Sequence, residues 1–393
     1  MSKLERLIQQ YCPDGVEWIK IKDIAQVGTG SSNGNEADED GKYPFFVRSQ
    51  IVKSKNDFEY DEEAIIIPGE GGIGDIFHYI NGKYALHQRV YRIHFTTQQI
   101  NVKFAFYYMK SAFKRFIMTK AVSATVTSIR KPMIEDFEIP VPPLPVQEEI
   151  VRVLDAFTEL QAELQAELQA ELQKRKQQYN FYRDNLLSFE GRQDVEWKKL
   201  GEIASIRTGR RFVRTDIRES GIPCFHYGDI YTYYGLTAIQ TRGYLDAELA
   251  SKLRFAQPND VVVVCAGEND MDLGVGVAWL GKEPAVVHDA CCILHHAQNP
   301  RYISHFLRTH KYHLQMKKYV KNGKISSLPS SGLAEALIPI PSLEEQQRIA
   351  DILDRFDTLT NDLTSGLPAE MEKRRQQYEY SRDKLLTFKR KGA

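Results

Sequence analysis

The chain has 393 residues, of which 52 are Lys or Arg and 52 are Asp or Glu, so its formal net charge is zero. This length predicts two or three domains, and the balanced charge argues against a simple polybasic nucleic-acid binder while allowing local basic faces. The five cysteines form no C-x-x-C pair, and neither a leader-like apolar segment nor a membrane-length apolar run occurs, so we expect a cytoplasmic protein with reduced thiols and no membrane partner.

Residues 1–144 are predicted to form a first mixed α/β domain, with a strand at 64–67 and a helix at 101–120. The run GEGGIG (69–74) has the spacing of a dinucleotide-binding loop, which requires a helix to follow it. The next residues, DIFHYINGKYALHQ, instead predict a strand, an Asn-Gly turn and a second strand. A glycine-rich turn is therefore the preferred interpretation.

Residues 145–190 are predicted to form a long central helix. Its middle reads LQAELQAELQAELQ (160–173), in which one tetrad occurs three times and places leucines at Leu160, Leu164, Leu168 and Leu172. The apolar residues at both ends follow coiled-coil spacing, whereas the four-residue spacing between them locally unwinds a supercoil. Such a helix would be ~65 Å long. Because cores are irregular, a perfect repeat suggests that length itself is the useful property.

Residues 191–342 are predicted to form a second α/β domain, with a strand at 261–265 and helical sequence at 299–321. Residues 343–393 repeat the long-helix pattern, but SGLP (365–368) should break or kink the helix. Neither helix would be stable alone with its apolar stripe. We therefore expect the two helices to pair as an antiparallel coiled coil that separates the two domains, with Tyr179 and Tyr378 among the pairing residues.

The chain repeats itself. IPVPPLPVQEEIVRVLDAF begins at 139 and IPIPSLEEQQRIADILDRF at 338, which is 199 residues later, and KRKQQYNFYRDNLLSF (174) recurs as KRRQQYEYSRDKLLTF (373) at the same offset. VEWIKIKDIAQVGTG (16–30) matches VEWKKLGEIASIRTG (195–209), and the N-terminus begins with the tail of a repeat whose body closes the C-terminus. This circular arrangement predicts a pseudo-twofold molecule whose termini lie close together.

No catalytic motif accompanies the repeat. The sequence contains no Walker A, H-E-x-x-H or G-x-S-x-G pattern, and NPRY (299–302) departs at Arg301 from the N-P-P-Y of adenine methyltransferases. Cys291, Cys292, His295 and His296 lack a second ligand pair of standard zinc spacing, so a half-buried strand is preferred over a metal site.

Basic clusters occupy corresponding places in both domains. Polar loops rich in Ser, Thr, Lys and Arg (120–131 and 321–330) lie between a basic helix and the IP-x-P element, and a further cluster occurs at 207–218. Solvated helix faces are the plain alternative, but the paired positions favour DNA contact, since Lys and Arg bind phosphates and Arg, Ser and Thr reach base edges. The candidate DNA-binding residues are Arg207, Arg210, Arg211, Arg214, Lys317, Lys318, Lys321, Lys324, Lys114, Arg115, Lys120, Thr125, Thr127, Arg130 and Lys131.

With these features the chain resembles the specificity (S, HsdS) subunits of type I restriction-modification systems. The similarity is carried by the doubled IP-x-P elements with their helices, the repeated KR-x-QQY segments, the two VEW starts and the tetrads, and it spans essentially the whole chain. The tetrads are most similar to those of the branch called type IC.

This resemblance implies two target-recognition domains that each bind one half of a split double-stranded DNA site. The two helices would set the gap and dock two methyltransferase (M, HsdM) subunits, and motor-nuclease (R, HsdR) subunits would join the full complex. S-adenosylmethionine would belong to the M subunits, and ATP and Mg²⁺ to the R subunits. This chain would therefore bind no cofactor or metal and would be non-catalytic within an adenine-N6 methyltransferase and restriction complex.

Two alternatives remain at this point. A coiled-coil scaffold that joins two protein-binding domains would explain the zero net charge, and salt-dependent retention on DNA would distinguish it from a specificity subunit. A self-contained nuclease-methylase would need catalytic motifs that the sequence does not contain.

Overall fold

The computed structural model describes residues 2–120, 128–267, 273–323, 325–361 and 366–392. The chain divides into two compact units, unit 1 (residues 1–166 with 372–393) and unit 2 (residues 167–371). Each unit combines a globular part with parts of the long helices. The sequence analysis instead assigned the globular parts and the helices to four separate segments. Those segment boundaries stay a prediction.

In the first half of the chain, a run of six strands lies between helical segments. The described elements there are α1 (Lys3–Tyr11), β1 (Glu17–Lys20), α2 (Ile21–Ile24), β2 (Ala25–Thr29), β3 (Tyr43–Phe46), β4 (Lys53–Lys55), β5 (Tyr60–Pro68), β6 (His78–Leu86), β7 (Val90–Phe95), α3 (Val102–Lys120), α4 (Lys131–Glu135), β8 (Glu138–Val141) and α5 (Leu144–Leu186). The predicted helix at 101–120 is confirmed as α3, and the long central helix as α5.

The second half has more and shorter strands. Its described elements are β9 (Glu196–Lys199), α6 (Leu200–Ile203), β10 (Ala204–Thr208), β11 (Ile222–Phe225), α7 (Tyr227–Thr232), β12 (Thr237–Ala238), β13 (Gly243–Leu245), α8 (Ala247–Ala250), β14 (Phe255–Ala256), β15 (Val261–Val264), β16 (Ala266–Gly267), β17 (Gly276–Trp279), β18 (Ala285–Val287), β19 (Cys291–His296), α9 (Pro300–Phe306), α10 (His310–Lys317), β20 (Ser326–Ser327), α11 (Ser330–Ala334), β21 (Leu337–Ile340), α12 (Leu343–Asn361) and α13 (Leu367–Leu385).

Unit 1 is built on a six-stranded sheet in the order β2-β7-β5-β6-β3-β4. The apolar run 64–67, predicted as a strand, lies within β5 and is fully buried. Ile65 and Ile67 pack into one hydrophobic cluster, while Ala64 and Ile66 pack into a second. Because successive strand residues face opposite sides, an uninterrupted apolar run is what a strand covered on both faces requires.

The Asn-Gly turn predicted at 81–82 is wrong, because β6 continues through it. Glu62 of β5 lies opposite Gly82, and Glu63 lies opposite Asn81. Pairing with the nine-residue β5 along its length outweighs the local turn preference of Asn-Gly, and Gly82 meets the requirement for a positive φ of 126°. The glycine-rich turn at 69–74 is confirmed, with positive φ at Gly71, Gly72 and Gly74.

The predicted proximity of the two chain ends is confirmed within unit 1. Val16 bridges Arg390; its N–H donates to the Lys389 carbonyl at 2.9 Å, and its carbonyl accepts from the Lys391 N–H at 3.0 Å. Gly15 has φ +94°, and a Cβ there would lie 2.6 Å from the Lys389 oxygen. The N-terminal segment therefore completes the sequence unit that the C-terminal segment begins.

Unit 2 contains a five-stranded sheet (β10-β19-β15-β17-β12) and a four-stranded sheet (β13-β11-β18-β14). The strand predicted at 261–265 is confirmed as β15, whose four valines are fully buried. The helical stretch predicted at 299–321 is two helices, α9 and α10. It divides because Thr309 caps α10, with its hydroxyl accepting from the Tyr312 N–H at 3.3 Å.

A buried glutamine at the start of each long helix has the same role in both units. In unit 1 the Gln147 amide donates to the Pro142 carbonyl at 2.6 Å and accepts from the Asn101 N–H at 2.8 Å. In unit 2 the Gln346 amide donates to the Pro341 carbonyl at 2.9 Å and accepts from the Asn299 N–H at 3.0 Å. The Pro-Pro-x-x-Val-Gln and Pro-Ser-x-x-Glu-Gln sequences thus close equivalent strand-to-helix corners.

The distal helical segment consists of two helices. Residues 362–365 are outside the described residues; α12 ends at Asn361 and α13 begins at Leu367. Gly366 precedes α13 and Pro368 lies in its first turn, where proline is tolerated. These bounds agree with the interruption predicted at SGLP. Over the described ranges, no helix combines the length and apolarity needed to cross a membrane.

Candidate nucleic-acid interface

In both units a Thr-Gly turn packs closely against the end of a strand. A Cβ at Gly30 would lie 1.8 Å from the Leu86 carbonyl oxygen, and one at Gly209 would lie 2.2 Å from the His288 carbonyl oxygen. Only glycine fits at either place. The doubled TG of the sequence therefore places the next residues beside the strand end, where the N–H of Ser32 donates to the Leu86 carbonyl at 3.3 Å and that of Arg210 to the Val287 carbonyl at 3.0 Å.

A histidine ring fixes the next turn in each unit. Nδ1 of His87 accepts from the Arg89 N–H at 3.0 Å, and Nδ1 of His288 accepts from the Ala290 N–H at 3.1 Å. Burial lowers the pKa of both imidazoles, which favours the neutral form that can accept at Nδ1. The two turns therefore have the same shape and present residues 88–89 and 289–290.

In unit 2 these loops surround an open cavity of about 360 Å³. Aromatic rings pack together on its floor. Phe212 packs edge-on to His288 with ring centroids 5.1 Å apart, and the His226 ring centroid lies 4.9 Å from that of His288. The lining residues are Arg211, Phe212, Val213, Arg214, His226, Tyr227, Ala266, Gly267, His288, Asp289, Ala290 and Ile325. The cavity thus joins an aromatic floor to a cationic rim.

The four candidate arginines of 207–214 lie in different surroundings. Arg211 and Arg214 are exposed and line this cavity. Arg210 is exposed, but its guanidinium donates to the Lys252 carbonyl at 2.8 Å. Arg207 lies on β10 and lines a second cavity of about 490 Å³.

The candidate lysines of unit 2 lie around the loop before β20. Lys317 and Lys318 are exposed at the end of α10. Lys321 is exposed and pairs through its backbone with Ser327, the N–H of Lys321 donating to the Ser327 carbonyl at 2.8 Å. Strand β20 in turn pairs with β16, which lines the cavity through Ala266–Gly267. Lys324 is outside the described residues.

In unit 1 the described candidate residues lie on two helices, α3 and α4 with its N-cap. Lys114 and Arg115 are exposed on α3, and the Lys114 ammonium lies 2.7 Å from both carboxylate oxygens of Asp75. Arg130 and Lys131 are exposed at the start of α4. Lys120 is the last residue of α3, and Thr125 and Thr127 are outside the described residues.

A charged triad in unit 1 was missed at the sequence level. Arg89 donates to both oxygens of Glu70 at 2.9 Å, and Arg48 donates to the same carboxylate at 2.9 Å. The three residues come from separate loops after β3, β5 and β6. No local sequence signal joins them, because the convergence of these loops depends on strand order and register.

The cysteine and histidine group of unit 2 is part of β19. Cys291 and Cys292 are buried, and His295 Nδ1 lies 2.7 Å from a carboxylate oxygen of buried Asp260. All five cysteines are buried thiols. Within the described ranges, no group of three or more His, Cys, Asp or Glu side chains has the arrangement of a metal site.

The spacer residues differ in burial. Leu160 is 61% exposed, Leu164 and Leu168 are half-buried, and Leu172 and Tyr179 are buried. In unit 1 the Tyr378 hydroxyl lies 2.8 Å from that of Thr158 and helps to line a cavity of about 220 Å³ with Leu160.

The sequence profile of the type I restriction modification DNA specificity domain matches residues 13–174 and 192–373. The chain is 37% identical over 254 residues to the type I restriction enzyme EcoR124I/EcoR124II specificity subunit of Escherichia coli, a match that covers 62% of this chain and 60% of that protein. It is 28% identical over 406 residues to the putative type I restriction enzyme specificity subunit S.HindORF215P of Haemophilus influenzae, covering 98% of each.

Two solved structures share the fold. One, from a study of complex assembly and conformational transition of the type I R-M system, superposes with a TM-score of 0.69 at 14% identity, covering 95% of this chain and 98% of that one. The HsdS subunit from Thermoanaerobacter tengcongensis gives a TM-score of 0.50 at 15% identity, covering 96% and 97%. With the profile matched in both halves, the chain belongs to the type I restriction-modification DNA specificity family.

Proposed function

We propose that this chain is the specificity subunit that selects the DNA site of a type I restriction-modification complex, with each globular part binding one half of a bipartite site. One observation carries the proposal: the two units repeat the same turns and strand ends but present different side chains on them. Two similar main-chain arrangements that carry different side chains are suited to binding two different half-sites.

The proposed DNA surface of unit 2 centres on the cavity behind the Thr-Gly turn. Arg211 and Arg214 supply exposed guanidinium groups at its rim, and the lysines of 317–321 extend the positive charge for phosphate contacts. Lys324 belongs to the same proposed set. In unit 1 we assign phosphate contacts to the exposed residues Lys114, Arg115, Arg130 and Lys131, together with Lys120, Thr125 and Thr127.

The helices are the proposed dock for two methyltransferase subunits. Exposed apolar side chains remain on them, Phe157 and Tyr380 in unit 1 and Phe181 and Leu359 in unit 2. Exposed large apolar groups of this kind are typical of protein–protein contact surfaces.

Antiparallel pairing of the helices is part of the same proposal. Within unit 1, Thr158 of α5 meets Tyr378 of α13. Within unit 2, Tyr182 of α5 stacks on Phe356 of α12 with ring centroids 5.3 Å apart. From Thr158 to Tyr182 the residue number on α5 rises, while that of the contacting residue falls from 378 to 356. This order supports an antiparallel coiled coil with a pseudo-twofold repeat.

The remaining roles follow from the family. We assign S-adenosylmethionine to the methyltransferase subunits and ATP and Mg²⁺ to the motor-nuclease subunits, with this chain contributing no catalytic group. Membership of the type IC branch and a cytoplasmic location belong to the same proposal, because the tetrads motivate the first and the buried thiols are consistent with the second.

The chain alone should transfer no methyl group from S-adenosylmethionine to DNA, whereas the chain with its methyltransferase subunits should methylate adenine at a bipartite site. Sequencing of methyladenine after the reaction measures both. Robust transfer by the purified chain would contradict a specificity subunit, and a complex whose retention on DNA shows no dependence on salt would favour the scaffold alternative.

Replacing Arg210 and Arg211 together by Ala should weaken DNA binding by the complex. If one guanidinium is bidentate to guanine, the loss is about 1–3 kcal/mol and one base position relaxes, while a phosphate contact lowers affinity uniformly. Filter binding on a set of single-base variants distinguishes the two cases. The control is Arg242→Ala, an exposed arginine of unit 2 outside the 207–218 cluster and the cavity lining. Equal binding by wild type and double variant would remove this loop from the site.

A further inference from the structure

Corresponding main-chain hydrogen bonds align the two units residue by residue. In each unit, three such bonds of similar length connect corresponding loops. In unit 1 they are His87 N–H to Phe46 O (3.0 Å), Gly69 N–H to Arg89 O (2.9 Å) and Ile129 N–H to Gly69 O (2.8 Å). In unit 2 they are His288 N–H to Phe225 O (3.1 Å), Cys265 N–H to Ala290 O (2.8 Å) and Leu328 N–H to Cys265 O (2.8 Å).

The strand registers support the same alignment. In unit 1, Phe46 of β3 lies opposite Leu86 of β6 in parallel pairing. In unit 2, Phe225 of β11 lies opposite Val287 of β18, also in parallel pairing. Counting forward from these strand ends gives three pairs of corresponding positions: Arg48 with Tyr227, Glu70 with Ala266, and Arg89 with Ala290.

These three positions carry the charged triad in unit 1. Arg48 is 47% exposed, Arg89 57% and Glu70 37%, so the guanidinium edges remain open to solvent. Hydrogen bonds from Arg89 and then Arg48 lower the pKa of Glu70, which keeps the carboxylate charged. Exposed ion pairs contribute little to stability, so the triad is better explained by orientation of the two guanidinium forks than by folding.

In unit 2 the same three positions are all walls of the 360 Å³ cavity. Two carry alanine, and the third carries Tyr227, whose ring lies 5.3 Å from that of His288. Where unit 1 has two guanidinium groups and a carboxylate at these positions, unit 2 has two methyl groups and an aromatic ring, with Arg211 and Arg214 elsewhere in the cavity lining. The main-chain arrangement is therefore shared, whereas the side chains at these three positions differ in charge and polarity.

We propose that positions 48, 70 and 89 of unit 1, and 227, 266 and 290 of unit 2, determine which bases the two half-sites contain. Arginine forks oriented by a carboxylate match the paired O6 and N7 acceptors of guanine in the major groove. An alanine-lined recess beside an aromatic ring matches an apolar base edge, the thymine methyl group. This inference rests on the proposed function, because it names the residues that read DNA within it.

The experiment uses the chain assembled with its methyltransferase subunits. Arg48→Ala with Arg89→Ala should reduce discrimination for guanine in the first half-site by about 5- to 150-fold, leaving the second half-site and the gap unchanged. Ala266→Glu with Ala290→Arg, which transfers the unit 1 pair into unit 2, should alter the second half-site alone. Sequencing of methyladenine sites measures both, with Arg6→Ala on α1 as the exposed-arginine control.

A second measurement uses the wild-type protein and so does not depend on folding of a variant. Replacing the guanine of the first half-site by 7-deazaguanine removes the N7 acceptor and should weaken binding by wild type by at least about fivefold. The Arg48→Ala, Arg89→Ala variant should show no further loss. Bipartite methylation with an unchanged motif in both variants would overturn this inference alone, whereas a wild-type complex without bipartite methylation would overturn the proposed function as well.

Discussion

Deletion of residues 165–168 should leave both half-sites intact and shorten the gap between them by about one base pair. The deletion removes one QAEL tetrad, which shortens α5 by ~6 Å and rotates the C-terminal remainder of the helix by about 40°. Removing one base pair shortens B-DNA by ~3.4 Å and rotates it by roughly 35°. The rotations nearly agree, and an oblique helix or bent DNA would absorb the difference in length.

The place of the tetrads supports this expectation. Helix α5 runs without interruption from Leu144 to Leu186, and the division between the two units falls inside the repeat, between Ala166 and Glu167. A four-residue deletion also preserves the apolar stripe better than a deletion of one, two or five residues. The helix can therefore change length without losing its packing face.

Sequencing of methyladenine sites in cells that carry the deletion measures the gap directly. Glu163→Gln with Glu167→Gln is the matched control, because it alters two exposed tetrad side chains without altering helix length. This control should leave the gap unchanged. Altered half-sites with an unchanged gap in the deletion variant would refute a spacing role for the tetrads.

Asp354→Ala should destabilise unit 2 by about 2 kcal/mol, in the range found when a buried hydrogen-bond donor loses its partner. Asp354 on α12 accepts from the Arg301 guanidinium and lies 2.8 Å from Nε2 of His305 on α9. The His305 ring is fully buried, and its Nδ1 accepts from the Tyr179 hydroxyl at 3.2 Å. Loss of the carboxylate would leave the buried Nε2–H without its acceptor. Hydrogen exchange of α9 and α12 measures the change.

Asp155→Ala is the matched control, since Asp155 lies 199 residues earlier at the equivalent position of the repeat. Its partners in unit 1 are Lys103 at 2.8 Å and Tyr107 at 2.7 Å, and the lysine is 41% exposed. Because water can replace these contacts, we expect a loss of only about 1 kcal/mol. Equal losses in the two variants would contradict the role assigned to burial of His305.

The same contact predicts acid sensitivity of unit 2. Burial lowers the pKa of His305, so the unfolded chain takes up a proton before the folded one, and stability should fall as pH drops below ~6.5. Burial by itself would raise the pKa of Asp354, but the hydrogen bonds from His305 and Arg301 hold it below the ordinary value, which extends the loss to lower pH. A flat stability profile of unit 2 from pH 7 to 4 would argue against this account.

Features that depend on local pattern were predictable from the sequence. The repeat offset between Asp155 and Asp354 anticipated equivalent helices, and the junction of Val16 with the C-terminal residues followed from the circular order of the repeat. Helix α5 followed from strong helix formers and apolar spacing, and the glycine-rich turn from its lack of a following helix. In each case the information lies in a local pattern or in the recurrence of that pattern along the chain.

Other features were decided by contacts between distant residues. Asn81-Gly82 lies in a strand because it pairs with Glu62 and Glu63 of β5. Arg210 differs from Arg211 and Arg214 because its guanidinium donates to the Lys252 carbonyl. Arg48, Glu70 and Arg89 meet only because main-chain hydrogen bonds join the loops that follow β3, β5 and β6. Periodicity reports which face of an element is buried, but it does not report which loops converge, since convergence depends on strand order and register. The long helices and the repeat were therefore determined by the sequence itself, whereas the grouping of side chains at the proposed base-reading positions was decided only by the tertiary structure.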